Sequence, residues 1–441
     1  SLLLLLPSMV RADEGMWFLM FLKRLNERDM QKEGLQLTAE EIYSINNNSL
    51  KNAIVQFGGG CTASIISPDG LVITNHHCGY GAIAGLSTPE HNYLRDGYWA
   101  KTKADELSPK RLSVRFFVRM DNVTDRMLAV VNPSMSEKER EAALNTEISK
   151  IQKENDEGGK YVVSVRSFFQ GNEFYYFVYQ DFKDVRLVGT PPENVGKFGG
   201  DTDNWEWPRH TGDFSVFRVY TDKNGNPAEY SPENIPMKAQ KYLNVSLKGV
   251  EEKDFAMILG YPGRTNRWVP SYWVDQQVKF GYPAWVEASK TAMDAMKKHM
   301  DADNAVRLKY ASAYAGLANY WKNRQGMIDA LTAHKTAALK RKAEKKFAKW
   351  AAKQENKAEY GAVLTDLASF FAKTNEQAAN QNYLAIFFRA SQLASQANPL
   401  AKELSLYLNS SSDKEKQQIK ERVTQALYNY YDRTYLPAEI D

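Results

Sequence analysis

The chain has 441 residues, enough for two or three domains with separate cores, and its 43% hydrophobic and 12% aromatic content excludes wholesale disorder. A net charge of +4 is too small to define a partner class, although it is unevenly spread. Residues 283–441 hold 24 Lys and Arg against 17 Asp and Glu, whereas residues 1–282 hold 33 against 36.

The first residues read as a leader. Leu2–Leu6 is a short apolar run, far too short to cross a bilayer, and Val10-Arg11-Ala12 has the small-residue form of a signal-peptide cleavage site. Cleavage after Ala12 would leave Asp13 as the mature N-terminus. The chain opens with Ser and lacks a basic n-region, so a sequence clipped at its start is expected. Export and a lone cysteine pair fit an oxidising periplasm or cell surface. Further on, Thr38 and Glu41 have the spacing of a helix capping box.

From about Asn52 to Trp268 the texture is mainly that of β-structure. Gly58-Gly59-Gly60 precedes a strand rather than a helix, so it is not a phosphate-binding loop. An apolar strand beginning near Gly60-Cys61 closes on Thr74-Asn75-His76-His77-Cys78. Imidazole is the side chain best poised to take a proton from a hydroxyl near neutral pH. The chain's two cysteines bracket this strand, and a disulfide between Cys61 and Cys78 would stabilise the fold by about 3 kcal/mol through loop closure. A buried histidine pair beside two unpaired thiols is the alternative. Ser113–Val118, Tyr161–Phe169, Phe174–Tyr179, Asp184–Val188 and Phe214–Tyr220 read as further strands, with Gln170-Gly171-Asn172 closing a hairpin. A helix is predicted from Ser136 to about Lys153.

The stretch Gly199–Phe214 carries two Trp, a His and three Asp with little apolar filler. Asp213 stands at the entrance of the next strand. A carboxylate there can reach a histidine's second nitrogen, fix its tautomer and stabilise the imidazolium. Taken alone, Gly212-Asp213 is an ordinary turn pair.

From Pro283 onward Ala, Lys, Glu and Gln dominate, and a helical bundle is predicted. Ile328, Leu331, Leu339, Ala343 and Trp350 fall within a sector of about 120° on a helical wheel and read as a core-facing stripe. Similar stretches occur around Tyr360–Lys373, Gln381–Ser395 and Lys414–Tyr431, with turns expected at Asn398-Pro399 and Ser410–Ser412. Nine basic residues lie between Lys335 and Lys357, opposed only by Glu344 and Glu355. That run reads as a solvated helix face.

Cys61–Tyr80, the Trp-rich Asp201–Phe214 stretch and Gly260-Tyr261-Pro262-Gly263-Arg264-Thr265 together resemble the bacterial dipeptidyl-peptidase 7 and 11 family. Its members are exported serine exopeptidases of Gram-negative bacteria, with a trypsin-like double β-barrel and an inserted helical domain. The resemblance implies His77 as general base, with His76 the competing assignment. In the trypsin-like fold the base directly precedes a half-cystine and the aspartate follows later in the chain, which assigns Asp213 as the orienting carboxylate. It further implies that Asn204, Trp205 and Asn319 hold the free amino terminus of a peptide. Fixing an ammonium two residues from the scissile bond makes a dipeptide cutter, with the helical domain as lid. No cofactor and no metal are expected. Expected partners are peptides with a free N-terminus, with a homodimer allowed, no nucleic acid and no stable membrane insertion.

The implied fold class is a trypsin-like β-barrel followed by an α-helical bundle. The implied layout is a leader over 1–12, the first barrel over 13–270 and the helical lid over 271–441. One departure stands out. No Gly-x-Ser-Gly nucleophile loop is present, since Ser410–Ser412 is a polar turn and Ser215 sits inside a strand. In the family the nucleophile follows the helical domain, so the second barrel is expected to be missing and the 441 residues alone to be inactive. An orphan barrel would expose apolar surface and be marginally stable. Two other readings compete: a metal site from His76, His77, Cys78 and His210, and a non-catalytic peptide-binding scaffold that keeps the amine clamp.

Overall fold

The computed structural model describes residues 16–263 and 266–441. The leader-like residues 1–12 and the pair Arg264-Thr265 lie outside the described residues. The chain forms two compact units. One comprises residues up to 78, 100–188 and 215–263; the other comprises 79–99, 189–214 and 264–441.

The first unit is built on an antiparallel sheet. Its strands are β1 (Ile54–Phe57), β2 (Cys61–Ile65), β3 (Leu71–Thr74), β4 (Val114–Asn122), β5 (Val162–Phe168), β6 (Glu173–Phe182), β7 (Val185–Thr190), β8 (Ser215–Thr221) and the short β9 (Ile235–Pro236). They lie in the order β7-β8-β3-β2-β1-β4-β6-β5, with β9 on β8. The segments are rich in β-branched and aromatic residues, which pack well on a pleated surface. The last two residues of β7, Gly189 and Thr190, belong to the second unit, where they pair with Trp99 and Tyr98.

The single strand expected between Cys61 and Thr74 is a hairpin. Ser67-Pro68-Asp69-Gly70 turns the chain between β2 and β3. Pro presets φ, Asp favours the turn, and Gly70 sits at φ +66°, where a Cβ would come within 3.0 Å of the Val219 carbonyl. The expected β5–β6 hairpin forms in the register Phe168↔Glu173.

Alternation along the strands buries Val55, Phe57, Ile65, Val72, Phe217 and Val219, and the rings of Phe57 and Phe217 lie 4.8 Å apart. Two ion pairs are buried beside this core. Arg186 pairs with Asp184 at 2.8 Å, and Arg218 with Glu106 at 2.9 Å, while the Tyr220 hydroxyl donates to the second Glu106 oxygen at 2.8 Å. Losing one member would strand a buried charge, so these pairs hold the β8 end of the sheet to one arrangement. A second cluster, Leu22, Leu35, Ala39 and Ile42, is covered by Phe255, Met257 and Leu259. The Thr38–Glu41 capping box is formed.

Among the helices that touch this unit, two bear on the expectations from sequence, and the first runs on into the second unit from Gly79. β3 ends at Thr74, and α1 (His76–Leu86) starts two residues later. The predicted helix after Ser136 is α2 (Glu137–Asn155), closed by a Ser136–Glu139 capping box. Its Ile151 packs with Met127 and Phe174.

The second unit is mainly helical: α3 (Tyr282–Ala302), α4 (Asn304–Ala333), α5 (Thr336–Ala351), α6 (Val363–Lys373), α7 (Asn375–Ala390), α8 (Gln392–Asn409) and α9 (Asp413–Arg433). Asp303 separates α3 from α4, and its carboxylate accepts from the N–H groups of Ala305 and Val306. Met293, Met296, Met300, Val306, Tyr310, Leu317, Ala318 and Ile386 form the core. The stripe expected to face a core across Ile328–Trp350 does not. The chain breaks at His334-Lys335, where Lys335 takes φ +50°, so the helical phase restarts and Leu339 and Trp350 are exposed. The expected break at Pro399 is also absent, since α8 runs through that residue. Among the described residues, no helix is long and apolar enough to cross a membrane.

Candidate active site

His77 stands where the sheet passes into a helix. Thr74 pairs with Ser215 across β3 and β8, and the Thr74 hydroxyl donates to the Thr62 carbonyl at 2.9 Å. The Ser215 hydroxyl, fully buried, donates to the Asn75 carbonyl at 3.0 Å. Cys61 and Cys78 are joined in a disulfide. The segment entering α1 is therefore fixed by a paired strand, by a side chain from β8 and by a covalent bond.

Both histidines are expected at a strand end from sequence; they occupy the first turn of α1 instead. The two side chains diverge, His76 being buried and His77 exposed. A His77 ring nitrogen lies within 4.8 Å of both disulfide sulfurs. Because those sulfurs are bonded to each other, neither is a thiolate that could bind a metal ion. The alternative metal site loses its Cys78 ligand.

The other sequence-derived residues lie in the second unit. A left-handed turn at Gly199 starts one helical turn over Gly200–Asp203, which ends at Asn204 in extended conformation. Trp205 follows at φ +61°. The structure brings Asn204, Trp205 and Asn319 together. The Asn204 amide donates to Asn319 Oδ1 at 2.9 Å, and the Trp205 indole N–H is shared between Asn319 Oδ1 at 2.9 Å and the Asn319 carbonyl at 3.0 Å. Asp213 is half-buried two residues before β8, and Gly212 bonds to the Val195 carbonyl at 3.0 Å.

Two supporting residues were not assigned roles from sequence. Arg209 donates to Asn204 Oδ1 at 3.3 Å and to the Thr211 hydroxyl at 2.9 Å. Lys322 donates to the Asp201 carbonyl at 3.0 Å and to the Thr202 carbonyl, and it pairs with Glu206 at 3.3 Å. Lys322 lies three residues after Asn319, on the same face of α4, so the helix grips the loop's backbone with one side chain and its amides with the other. That spacing was the available signal. Nearby, the Tyr80 hydroxyl donates to Glu193 at 2.8 Å. Burial, and then the Glu193 charge, push its pKa far above the usual tyrosine value.

The cluster can act on a cation. Asn319 Oδ1 already accepts two hydrogen bonds, and Asn204 Oδ1 accepts one, from Arg209. An ammonium group, with donors only, would take the remaining lone pair of Asn204 and compete with the indole for Asn319.

The paired strand end carrying a histidine beside a disulfide belongs to the first unit, and the amide–indole cluster suited to an ammonium belongs to the second. The chain belongs to the peptidase S46 family, whose model matches residues 12–441. It is 82% identical to dipeptidyl-peptidase 7 of Capnocytophaga gingivalis over all 441 residues, which are 62% of that protein. It is 42% identical to the Asp/Glu-specific dipeptidyl-peptidase of Flavobacterium psychrophilum over 382 residues, 87% of this chain and 54% of that one. The crystal structure of Porphyromonas endodontalis DPP11 in complex with the dipeptide Arg-Glu superposes with a TM-score of 0.85 at 32% identity, covering 98% of this chain and 62% of that one. The mixed fold of a large antiparallel sheet and many helices is thus shared with that structure. The chain spans less than two thirds of the length of these relatives.

Proposed function

We propose that these 441 residues are the N-terminal portion of an exported serine dipeptidyl peptidase, working in the periplasm or at the surface of a Gram-negative bacterium. The observation that carries this reading is the joining of Asn204 and Trp205 to Asn319. Two distant parts of the sequence meet through side chains suited to a peptide's ammonium group. His77 acts as general base, taking the proton of a serine hydroxyl as it attacks the scissile carbonyl and returning it to the leaving amine. Asp213 orients the imidazole and stabilises its charged form. The serine and the oxyanion donors come from the remainder of the longer protein, so the 441 residues alone are inactive. The 82% identity to dipeptidyl-peptidase 7, against 42% to an Asp/Glu-specific relative, supports the former's specificity class.

The finer fold reading is a trypsin-like first barrel over 13–270 and a helical lid over 271–441, with a second barrel beyond. Residues 254–261 support it. Phe255, Met257 and Leu259 are half-buried on the Leu22 cluster, while Ala256, Ile258 and Gly260 alternate with them and face solvent. Ile258 is fully exposed. A period of two with one covered face is the pattern of a strand that lies in a sheet. The Tyr261 N–H and the close approach of Gly260 dock this segment's end on Thr62.

Calorimetry with a free dipeptide and its N-acetyl derivative tests the clamp. Only the free amine should bind, and Asn319→Ala should weaken it at least tenfold. Equal binding of both peptides would sink the reading. A dipeptidyl-coumarin substrate turned over by the purified chain, with loss on His77→Ala, would overturn the claim of inactivity alone.

A further inference from the structure

We propose that the outer face of α5 is a docking surface for an anionic lipid bilayer, independent of the peptide site. The helix carries six basic side chains and one acidic one, Glu344. Three of these are occupied. The Glu344 carboxylate accepts from the N–H and hydroxyl of Ser271, Arg341 pairs with Asp275 at 2.6 Å, and Lys340 donates to the Arg267 carbonyl at 2.6 Å. Lys342, Lys345, Lys346 and Lys349 are exposed, and no carboxylate lies within ion-pair distance of them among the described residues. At about 100° per residue these four fall within an arc of about 100°, opposite the buried Ala351. Lys335 at the helix start and Lys353 just beyond its end fall on the same line and are also exposed. From Lys335 to Lys349 the row is about 20 Å long.

A solvated helix normally interleaves both signs of charge. A row of one sign, with its only acid bound elsewhere, attracts an extended anionic surface. The chemistry favours lipid headgroups over nucleic acid. All the free cations are lysines, which act as point charges, whereas Arg341, the fork-shaped donor suited to phosphate and base edges, is already paired. Leu339 and Trp350 flank the row on one side, about 60–80° from Lys342, with 56% and 41% of their surface exposed. Exposed apolar side chains beside lysines that reach outward suit the headgroup–acyl boundary. The contact is peripheral, since no described helix is apolar enough to span.

The test is co-sedimentation of the full chain with vesicles of phosphatidylcholine alone or with about one third phosphatidylglycerol, at low and high salt. The chain should partition onto the anionic vesicles only, and the binding should fall as salt rises. Each lysine near such a surface contributes roughly a factor of five in partitioning. Replacing Lys342, Lys345, Lys346 and Lys349 by Gln should therefore weaken binding about a hundredfold or more. The ion-paired Lys183, Lys223, Lys290 and Lys297, replaced together by Gln, should change it little. A second variant, Leu339→Ala with Trp350→Ala, should weaken binding while leaving its salt dependence in place. Equal binding to neutral vesicles, equal loss in the control set, or duplex DNA binding tighter than the anionic vesicles at the same salt would each overturn the proposal.

Discussion

In the sheet unit, His77 stands beside a disulfide and at the end of a paired strand. In the helical unit, Asn204, Trp205 and Asn319 are joined by hydrogen bonds from two side chains, with no covalent tie or paired strand between them. The cores differ in the same sense. Phe57, Phe217, Ile65 and Val72 fill the sheet unit with stiff side chains, whereas Met293, Met296 and Met300 fill the helical one with flexible ones. The general base proposed at His77 needs a fixed geometry, and the proposed clamp must open for each peptide. The contrast predicts that the sheet unit resists change sharply and that the helical unit yields by degrees.

The largest effect should come from the sheet core. Phe217→Ala empties a fully buried site against Phe57, at a cost of about 3–5 kcal/mol. Met296→Leu, a volume-conserving change in the helical core, should cost less than about 1.5 kcal/mol. Denaturant titrations of the two variants compare them directly. Equal costs would break the contrast. Next comes the covalent tie: Cys61→Ser with Cys78→Ser should lower the stability of the sheet unit by about 3 kcal/mol. Hydrogen exchange should locate that loss around β2, β3 and α1, with α3 and α4 unchanged.

What could be read in advance follows the range of the interactions. The capping boxes at Thr38 and Ser136, and the β5–β6 hairpin, are decided within a few residues, and sequence spacing revealed them. Pro68-Asp69-Gly70 is an equally local turn signal, masked by the apolar residues on both sides, which imitate one continuous strand. The break at His334-Lys335 has no Gly or Pro to announce it, so a helical wheel drawn through it shows a stripe that the restarted helix does not keep. Lys322 is signalled only by its spacing of three from Asn319. Besides Glu206, its partners are main-chain carbonyls of a distant loop, and no residue type at Asp201 or Thr202 encodes that contact.

The Asn204–Trp205–Asn319 cluster should respond more mildly. Asn319→Ala removes one acceptor serving two donors, both near the surface, so the stability cost should be about 1 kcal/mol. The Trp205 indole should then keep only its bond to the main-chain carbonyl of residue 319 and gain mobility, which nitrogen-15 relaxation of the indole N–H would register. A cost above 3 kcal/mol would mean that the cluster carries the unit's fold rather than a ligand.

The smallest change compares two buried tyrosines. Tyr43, in the sheet unit, stacks on Phe117, and its hydroxyl has no hydrogen-bond partner among the described residues. Burial, and then the charge of Asp121, push its pKa up to about 12. A raised pKa means that the fold favours the neutral phenol. That contribution is whole below the ordinary value near 10 and is lost as the pH rises from 10 through 12. Tyr43→Phe should therefore lie within about 1 kcal/mol of the parent at pH 7 and lose less stability than the parent between pH 10 and 12. Tyr310, in the helical unit, donates to Glu439 at 2.7 Å and accepts from the Tyr435 N–H at 3.1 Å, so Tyr310→Phe should destabilise already at pH 7. Thermal melts of both variants at pH 7 and 11 would decide the matter. If Tyr43→Phe destabilises at pH 7 as much as Tyr310→Phe, the Tyr43 hydroxyl is stabilised by more than burial of a neutral phenol, and the contrast between the two tyrosines fails.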